Sequence, residues 1–131
     1  MVLKIEKGWW ITGIFSGFKK RGEKKKAVFI DRAGGMVVTK SLLLGRSKLK
    51  WIFREESVDA ADNGWRAIGD TDTQDDINDS KNIAVADFNT LANIEPAILA
   101  IYDFPVGTDL GSRVEDGKKI FVDTRTGRVV R

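Results

Sequence analysis

Five carboxylates crowd into one short stretch of the chain, residues 70–81 (DTDTQDDINDSK). Oxygen-rich loops of this kind are what calcium binds. An EF-hand loop that began at Asp70 would need Gly at its sixth position and Glu at its twelfth, where this chain has Asp75 and Lys81. The calcium pattern therefore fails, and the stretch favours a helix N-capped by Thr73 with a solvated acidic rim. A partner-binding role for the same acids stays open: Asp70, Asp72, Asp75, Asp76 and Asp79.

The chain contains neither histidine nor cysteine. This excludes the usual nucleophile–base pairs, disulfide bonds and most zinc sites. Carboxylates such as Glu55 and Asp70 remain as catalytic candidates, because two carboxylates about 5–10 Å apart can hydrolyse glycosides. With 19 Asp and Glu in 131 residues, a pair at that spacing arises readily by chance. We therefore expect a protein that is not an enzyme and that needs no cofactor and no metal.

The net charge of +3 is divided unevenly along the chain. Residues 1–50 carry 13 Lys and Arg against three acids, a net of +10, whereas residues 51–131 carry 9 against 16, a net of −7. A basic run, KKRGEKKK, extends from Lys19 to Lys26. Such runs are most often solvated loops. The alternative is a nucleic-acid contact that follows phosphates, but the interleaved aromatics or recognition helix typical of such surfaces are missing from the run.

The length of 131 residues and the 42% hydrophobic composition indicate one globular domain with a hydrophobic core. Glycines interrupt the first apolar residues, MVLKIEKGWWITGIF, so they do not resemble a signal peptide. No run approaches the roughly 20 apolar residues that a membrane span needs. The absence of cysteine fits a reducing compartment, and we expect a cytoplasmic protein.

Short runs of β-favouring residues, separated by glycine or polar turns, predict the strands that must position these charges. We expect strands at residues 2–6, 9–15, 27–31, 36–40, 49–55, 64–69, 83–85, 112–115 and 119–123, and a terminal hairpin into residues 128–130. Helices are expected at residues 88–93, N-capped by Asp87, and from Pro96 to Tyr102. Residues 41–48 suit either a helical turn or a buried connection. The fold class is therefore α+β, a single domain with a mainly antiparallel sheet of short strands and two or three short helices.

The runs 49–55 and 64–69 are expected to pair as antiparallel strands. Alternation places every second residue of the first run on one face, namely Leu49, Trp51 and Phe53. On this pairing Arg54 and Arg66 share a face, near the acids beyond both strands. Either these arginines pair with neighbouring carboxylates or they contact a partner.

Four motifs carry a resemblance to a known bacterial family: WIFREES at 51–57, NGWRAIGD at 63–70, NTLANIEP at 89–96 and FPVGTDL at 104–110. In this order, over about residues 35–110, the chain resembles immunity protein 33 domains, which are grouped with the immunity proteins of polymorphic toxin systems. Residues 1–34 lie outside the resemblance, and residues 111–131 form the C-terminal hairpin. The resemblance implies a non-enzymatic protein that binds and neutralises a cognate toxin. The residues that match its motifs are Arg54, Glu55, Glu56, Gly64, Trp65, Arg66, Asp70, Asn89, Thr90, Asn93, Pro105, Val106 and Gly107.

A dense carboxylate patch suits this implied role, because it mimics phosphate charge and steers association with a cationic partner. We expect the loop that follows residue 54 to approach the acidic stretch. Charge reversal at Asp72, Asp75 and Asp76 is expected to weaken neutralisation and to leave folding intact. The predicted partner contacts are Arg54, Glu55, Glu56, Asp59, Asp62, Arg66, Asp70, Asp72, Asp75, Asp76 and Asp79.

Overall fold

Seven strands form one sheet in a computed structural model that describes residues 27–130. The strands are β1 (Gly35–Thr39), β2 (Leu49–Arg54), β3 (Asp62–Gly69), β4 (Ile83–Asp87), β5 (Asp109–Glu115), β6 (Lys118–Asp123) and β7 (Val129–Val130). Their order in the sheet is β4-β1-β3-β2-β5-β6-β7, and all neighbours are antiparallel except β1 and β3. The predicted strands at residues 2–6 and 9–15 and the basic run from Lys19 to Lys26 lie outside the described residues.

Short helices connect the strands. They are α1 (Lys40–Leu43), α2 (Gln74–Asn78), α3 (Phe88–Ile94) and two 3-10 helices, Ser80–Asn82 and Pro96–Ile101. The described residues therefore form an α+β fold, as the sequence predicts. Two predicted N-caps are confirmed: Thr73 forms a capping box with Asp76 at the start of α2, and the Asp87 carboxylate accepts from the Asn89 N–H at the start of α3.

The face of the sheet that packs against α3 and Pro96–Ile101 carries the larger hydrophobic cluster, and we call it the first face. Trp65 of β3 lies at its centre and is fully buried, with Ile98 and Ile101 of the 3-10 helix in the same cluster. Each fully buried side chain of this kind contributes roughly 1.5–3 kcal/mol. The first face therefore supplies most of the hydrophobic stabilisation.

The opposite face, which we call the second face, carries a smaller cluster. Val37, Phe53 and Ile68 project from the sheet and pack against Ile77 of α2. Trp51 packs at the edge of this cluster and is half-buried. The central strands are thus covered on both faces, and α2, with its acidic neighbours, is fixed to the second face by Ile77.

The predicted pairing of the two aromatic runs is confirmed, since β2 and β3 are antiparallel. The predicted alternation along β2 is wrong at its start. The register shifts between Leu49 and Trp51, and Leu49 joins Ile52 on the first face while Trp51 and Phe53 lie on the second. An extra residue in one strand leaves Lys50 out of the alternation and turns the side chains before it to the other face.

The prediction that Arg54 and Arg66 share a face is also wrong. The register places Arg66 opposite Phe53 and Arg54 opposite Trp65. Directly opposed residues of antiparallel strands point to the same face. Arg54 therefore lies on the first face, with its guanidinium 5.6 Å from the centre of the Trp65 ring, and Arg66 lies on the second.

Residues 27–31 do not form the strand that was predicted for them. Their backbone is held by side chains of α3 in place of a neighbouring strand. The Asn89 amide accepts from the N–H groups of Phe29 and Ile30 and donates to the Ile30 carbonyl, at 2.9–3.0 Å. The Asn93 amide makes the same exchange with the N–H and carbonyl of Ala27, at 3.1 and 2.9 Å. A segment whose backbone groups are satisfied in this way needs no sheet partner.

None of the helices formed by the described residues is both long and apolar enough to span a membrane.

Candidate partner-binding surface

A buried ion cluster lies where β2 and β3 meet the loop between them. The Arg66 guanidinium makes two parallel contacts with the Asp62 carboxylate, both at 2.8 Å, and its Nε donates to Glu55 Oε2 at 2.9 Å. Asp62 also accepts from the backbone N–H groups of Val58 and Gly64, at 2.9 and 2.8 Å. The side chains of Asp62 and Arg66 are fully buried, whereas that of Glu55 is 40% exposed.

The hydrogen bonds of this cluster fix its charge state. Burial by itself raises the pKa of Asp62, but the bonds from Arg66, Val58 and Gly64 outweigh burial and hold that pKa below its ordinary value. Burial also lowers the pKa of Arg66, and the bonds and charges of Asp62 and Glu55 more than reverse this. Both groups therefore stay ionised at neutral pH, as a paired charge inside the protein.

Three of the predicted partner contacts consequently serve the scaffold. Asp62 and Arg66 are enclosed and paired with each other. Arg54 directs Nε to the Asn63 carbonyl at 3.0 Å and Nη1 to the Phe104 carbonyl at 2.7 Å, which ties β2 to the FPVG turn. These contacts confirm the alternative that Arg66 pairs with neighbouring carboxylates, while Arg54 binds carbonyl groups and, within residues 27–130, no carboxylate.

The acidic stretch that follows β3 is held to the body through its own carboxylates. Asp72 accepts from the Ser41 hydroxyl at 2.8 and 3.0 Å and from the Gly69 N–H at 2.9 Å. The Ser47 hydroxyl lies 2.7 Å from the Ser41 hydroxyl, and Asp70 accepts from the Lys48 N–H at 3.0 Å. Asp70 and Asp72 therefore fasten the stretch to the segment between α1 and β2.

Charge reversal at Asp72 or Asp76 would consequently disturb local structure, so the expectation that it leaves folding intact is corrected for these two residues. Asp72 anchors the stretch, and Asp76 accepts from the Thr73 N–H at 2.9 Å to complete the capping box. Asp79 caps the 3-10 helix Ser80–Asn82 by accepting from the Lys81 N–H at 3.0 Å, and Asp59 accepts from the Ala61 N–H within its own turn at 2.9 Å.

Among the predicted partner contacts, Glu56 and Asp75 are exposed and have no hydrogen-bond or ion-pair partner within residues 27–130. Asp70 and Asp79 are exposed as well, and each uses a carboxylate oxygen in a local backbone contact. These four acids belong to segments that pack on the second face. Ile77 of α2 belongs to the second-face cluster, and Val58 of the loop between β2 and β3 packs against it.

The two acidic segments lie at opposite ends of β3, about 23 Å apart along the strand if each residue advances about 3.3 Å. The expectation that the loop after residue 54 approaches the acidic stretch is therefore wrong, because the two segments share the second face but lie a strand's length apart. The carboxylates of Glu55 and Asp70, the pair considered for catalysis, belong to opposite ends of β2 by the same geometry, since Glu55 bonds to Gly64 and Asp70 to Lys48. Within residues 27–130, no three metal-ligating side chains come together.

Sequence reasoning missed Ser41, which donates to Asp72, and Ser47, whose hydroxyl bonds to that of Ser41. The segment SLLLGRS contains two hydroxyls around a glycine turn, but nothing in it points to a carboxylate 31 residues further on. It also missed the role of Asn93, although Asn89 and Asn93, four residues apart, lie on one face of a helix.

The family model for the immunity protein Imm33 domain matches residues 36–123. The chain belongs to this family, and the match extends through β6, beyond the residues 35–110 over which the motifs carry the resemblance. No curated protein and no solved structure gives a significant match to the chain.

Proposed function

We propose that this Imm33-family protein binds a cognate toxin in the bacterial cytoplasm and neutralises it without catalysis. We assign the contact to six exposed or partly exposed acids of the second face, which we call the acidic surface: Glu55, Glu56, Asp59, Asp70, Asp75 and Asp79. The proposal rests mainly on one observation: residues 67–80 contain five Asp and no Lys or Arg. Family membership supports the immunity role.

The acidic surface suits fast capture of a basic partner. Uncompensated carboxylates create a negative potential that raises the association rate of cationic proteins by about 10- to 1000-fold at low salt. Because Asp70, Asp72 and Asp76 already fasten their segment to the body, binding needs little further ordering of the chain. Lower ordering costs leave more of the interaction free energy for affinity.

Growth protection tests the proposal. The chain is expressed together with the product of the gene that neighbours its own, the candidate toxin, as wild type and as the double variant Glu56→Lys/Asp75→Lys. Both residues are exposed and lack partners among residues 27–130, so the double variant should fold normally. We expect it to lose protection, because the charge reversal repels a basic partner and, at about 1 kcal/mol or more per site, weakens binding at least about tenfold.

The matched control is Asp103→Lys combined with Asp31→Lys. Both are exposed acids, and the change in net charge is the same. Asp103 follows Tyr102, which packs on the first face, so it lies away from the acidic surface. Full protection by the control and none by the test variant supports the surface. If the test variant and the control protect equally well, the acidic surface is not the contact. If the wild type gives no protection, the proposed toxin partner is wrong.

A further inference from the structure

One row of residues crosses the second face from the centre of the sheet to its edge. The register pairs Trp51 of β2 with Gly111 of β5, Gly111 with Val122 of β6, and Val122 with Val129 of β7. Opposed residues of antiparallel strands share a face. On its other side Trp51 is paired with Ile68 of β3, which is fully buried. The row is therefore non-polar from β3 to β7.

The part of the chain that the structure describes covers only one end of this row. Ile68 lies in the second-face cluster with Ile77 of α2, and Trp51 is half-buried at the cluster's edge. Within residues 27–130, neither hydrophobic cluster includes Val122 or Val129, and Val129 is 39% exposed. We call the uncovered part, from Trp51 through Gly111 and Val122 to Val129, the open half-sheet.

Gly111 forms the floor of a shallow hollow in the open half-sheet. A Cβ atom at this position would lie 3.9 Å from Trp51 Nε1, from Thr124 Cγ2 and from the Val122 carbonyl, which is ordinary van der Waals distance. A side chain laid over Gly111 therefore displaces none of these neighbours. The indole Nε1–H of Trp51 has no acceptor among the described residues, so both a non-polar wall and a free donor border the hollow.

Asp109 places a carboxylate on the same face, two residues before Gly111 and opposite Phe53. Its Oδ1 is buried and accepts no hydrogen bond from residues 27–130. A carboxylate oxygen that is shielded from water and lacks a donor is costly to keep. Arginine and lysine are the side chains that satisfy a carboxylate best. Among residues 27–130, the second face therefore combines a non-polar floor at Gly111 with a carboxylate two residues away on β5 that lacks a cationic partner.

We infer that the open half-sheet is the non-polar part of the toxin-binding surface, and that it takes an arginine or lysine side chain of the toxin over Gly111, between the Trp51 indole and the Asp109 carboxylate. This rests on the proposed function and adds a second region to its acidic surface. The acidic stretch and the open half-sheet lie on one face and meet at Trp51, which packs against the cluster of Ile77.

The negative charge of the acidic stretch favours a basic partner. A basic protein that approaches the acidic stretch meets carboxylates on one side of Trp51 and a flat non-polar floor on the other. Protein interfaces commonly have this arrangement of a non-polar core beside a polar rim. Tryptophan and arginine are the residues most often found where alanine substitution weakens binding strongly. Lys50 Nζ, 4.8 Å from the centre of the Trp51 ring, already shows that this indole accepts a cation.

Substitution of Gly111 tests the inference. Gly111→Arg fills the hollow with bulk and a cation, and Gly111→Gln fills it with bulk alone. The probe is an inactivated form of the candidate toxin, the product of the neighbouring gene, titrated calorimetrically with the full-length chain. We expect both variants and Asp109→Asn to weaken binding by about tenfold or more. The control is Val114→Arg, on the same strand and 62% exposed on the first-face side, which should bind as the wild type does.

The outcomes separate this inference from the proposed function. If Gly111→Arg, Gly111→Gln and Asp109→Asn bind as tightly as the wild type while Glu56→Lys/Asp75→Lys does not, the open half-sheet is not part of the interface and the proposed function stands. If the wild type itself fails to bind the toxin, both are overturned. Unchanged urea midpoints for the Gly111 variants establish that a loss of binding comes from the hollow and not from unfolding.

Single cysteines reveal whether anything else covers the hollow, since the chain has no native cysteine. In the full-length free protein we expect a maleimide to label Gly111→Cys about as fast as Val114→Cys. Slow labelling of Gly111→Cys at every protein concentration would show that another part of the chain lies over the hollow. Slow labelling at high concentration alone would show that a second copy does. Either result overturns the inference.

Discussion

At the residue scale, the buried pair of Asp62 and Arg66 holds the end of the β2–β3 hairpin. Asp62 receives four hydrogen bonds, two from Arg66 and one each from the N–H groups of Val58 and Gly64. A buried charge that loses its partner costs about 3–5 kcal/mol. The pair is therefore a structural requirement of the loop that carries Glu55, Glu56 and Asp59.

Asp62→Asn should destabilise the protein by about 3–5 kcal/mol, because the uncharged amide leaves the Arg66 guanidinium buried with only Glu55 as a counter-charge. Urea denaturation at neutral pH measures the difference. The control, Asp103→Asn, changes an exposed carboxylate and should stay within about 0.5 kcal/mol of the wild type. A loss below about 1 kcal/mol for Asp62→Asn would show that the pair contributes little.

The same pair makes the stability of the folded protein depend on pH. The pKa of Asp62 is lower in the folded protein than its ordinary value, so its carboxylate stabilises the fold fully above about pH 4. That stabilisation is lost as the pH falls through the lowered pKa. Urea midpoints measured between about pH 7 and pH 2 should therefore fall more steeply for the wild type than for Asp62→Asn. Parallel curves would contradict this.

The roles of single residues in the site were only partly predictable. The crowding of acids in residues 70–81 indicates a charged surface, and the spacing of Thr73 and Asp76 indicates a cap, because both signals are local. The anchoring role of Asp72 depends on Ser41, 31 residues earlier in the chain, so no local pattern contains it. Arg66 looks like a surface charge in the sequence because its partner, Asp62, lies four residues away in a strand and not in a helix.

At the scale of elements, α3 holds a neighbouring segment through two asparagines. Asn89 and Asn93 lie one helical turn apart and each exchanges a donor and an acceptor with the backbone of residues 27–30. The β-favouring residues AVFI in that segment predict a strand. The prediction is wrong because side chains of α3 take the place of a neighbouring strand.

Asn89→Ala should speed hydrogen exchange at the amides of Phe29 and Ile30 by about tenfold or more, because both donate to its carbonyl oxygen. Asn93→Ala should speed exchange at Ala27 alone. Nuclear magnetic resonance of the two variants measures each amide, and the Glu95 amide, which donates to the Leu91 carbonyl at the end of α3, serves as an internal reference. Equal acceleration at all three amides in both variants would show that the segment is released as one unit.

Strand positions were predictable wherever an uninterrupted run kept its alternation. Trp65 and Ala67 lie on one face of β3 and Arg66 and Ile68 on the other, as the period of two requires. The shift of register near Lys50 was not predictable, since an extra residue in a strand leaves no compositional mark. The parallel pairing of β1 with β3 was not predictable either, because it joins strands that are not consecutive along the chain.

At the scale of the whole molecule, the sheet has two different sides. Among residues 27–130, the first face is covered by α3 and the 3-10 helix Pro96–Ile101, and the second is covered only near α2. Composition indicates the charge difference between the halves of the chain but not the face on which the acids gather. That face follows from Ile77, which fixes α2 to the sheet.

The salt dependence of toxin association tests the acidic surface most directly. Stopped-flow mixing of the full-length chain with the inactivated toxin, between about 20 and 500 mM salt, shortens the screening length from about 20 Å to about 4 Å. The account predicts that the association rate falls at least about tenfold over this range and that Glu56→Lys/Asp75→Lys flattens the dependence. An association rate that is independent of salt, or equally dependent in the double variant, would contradict it.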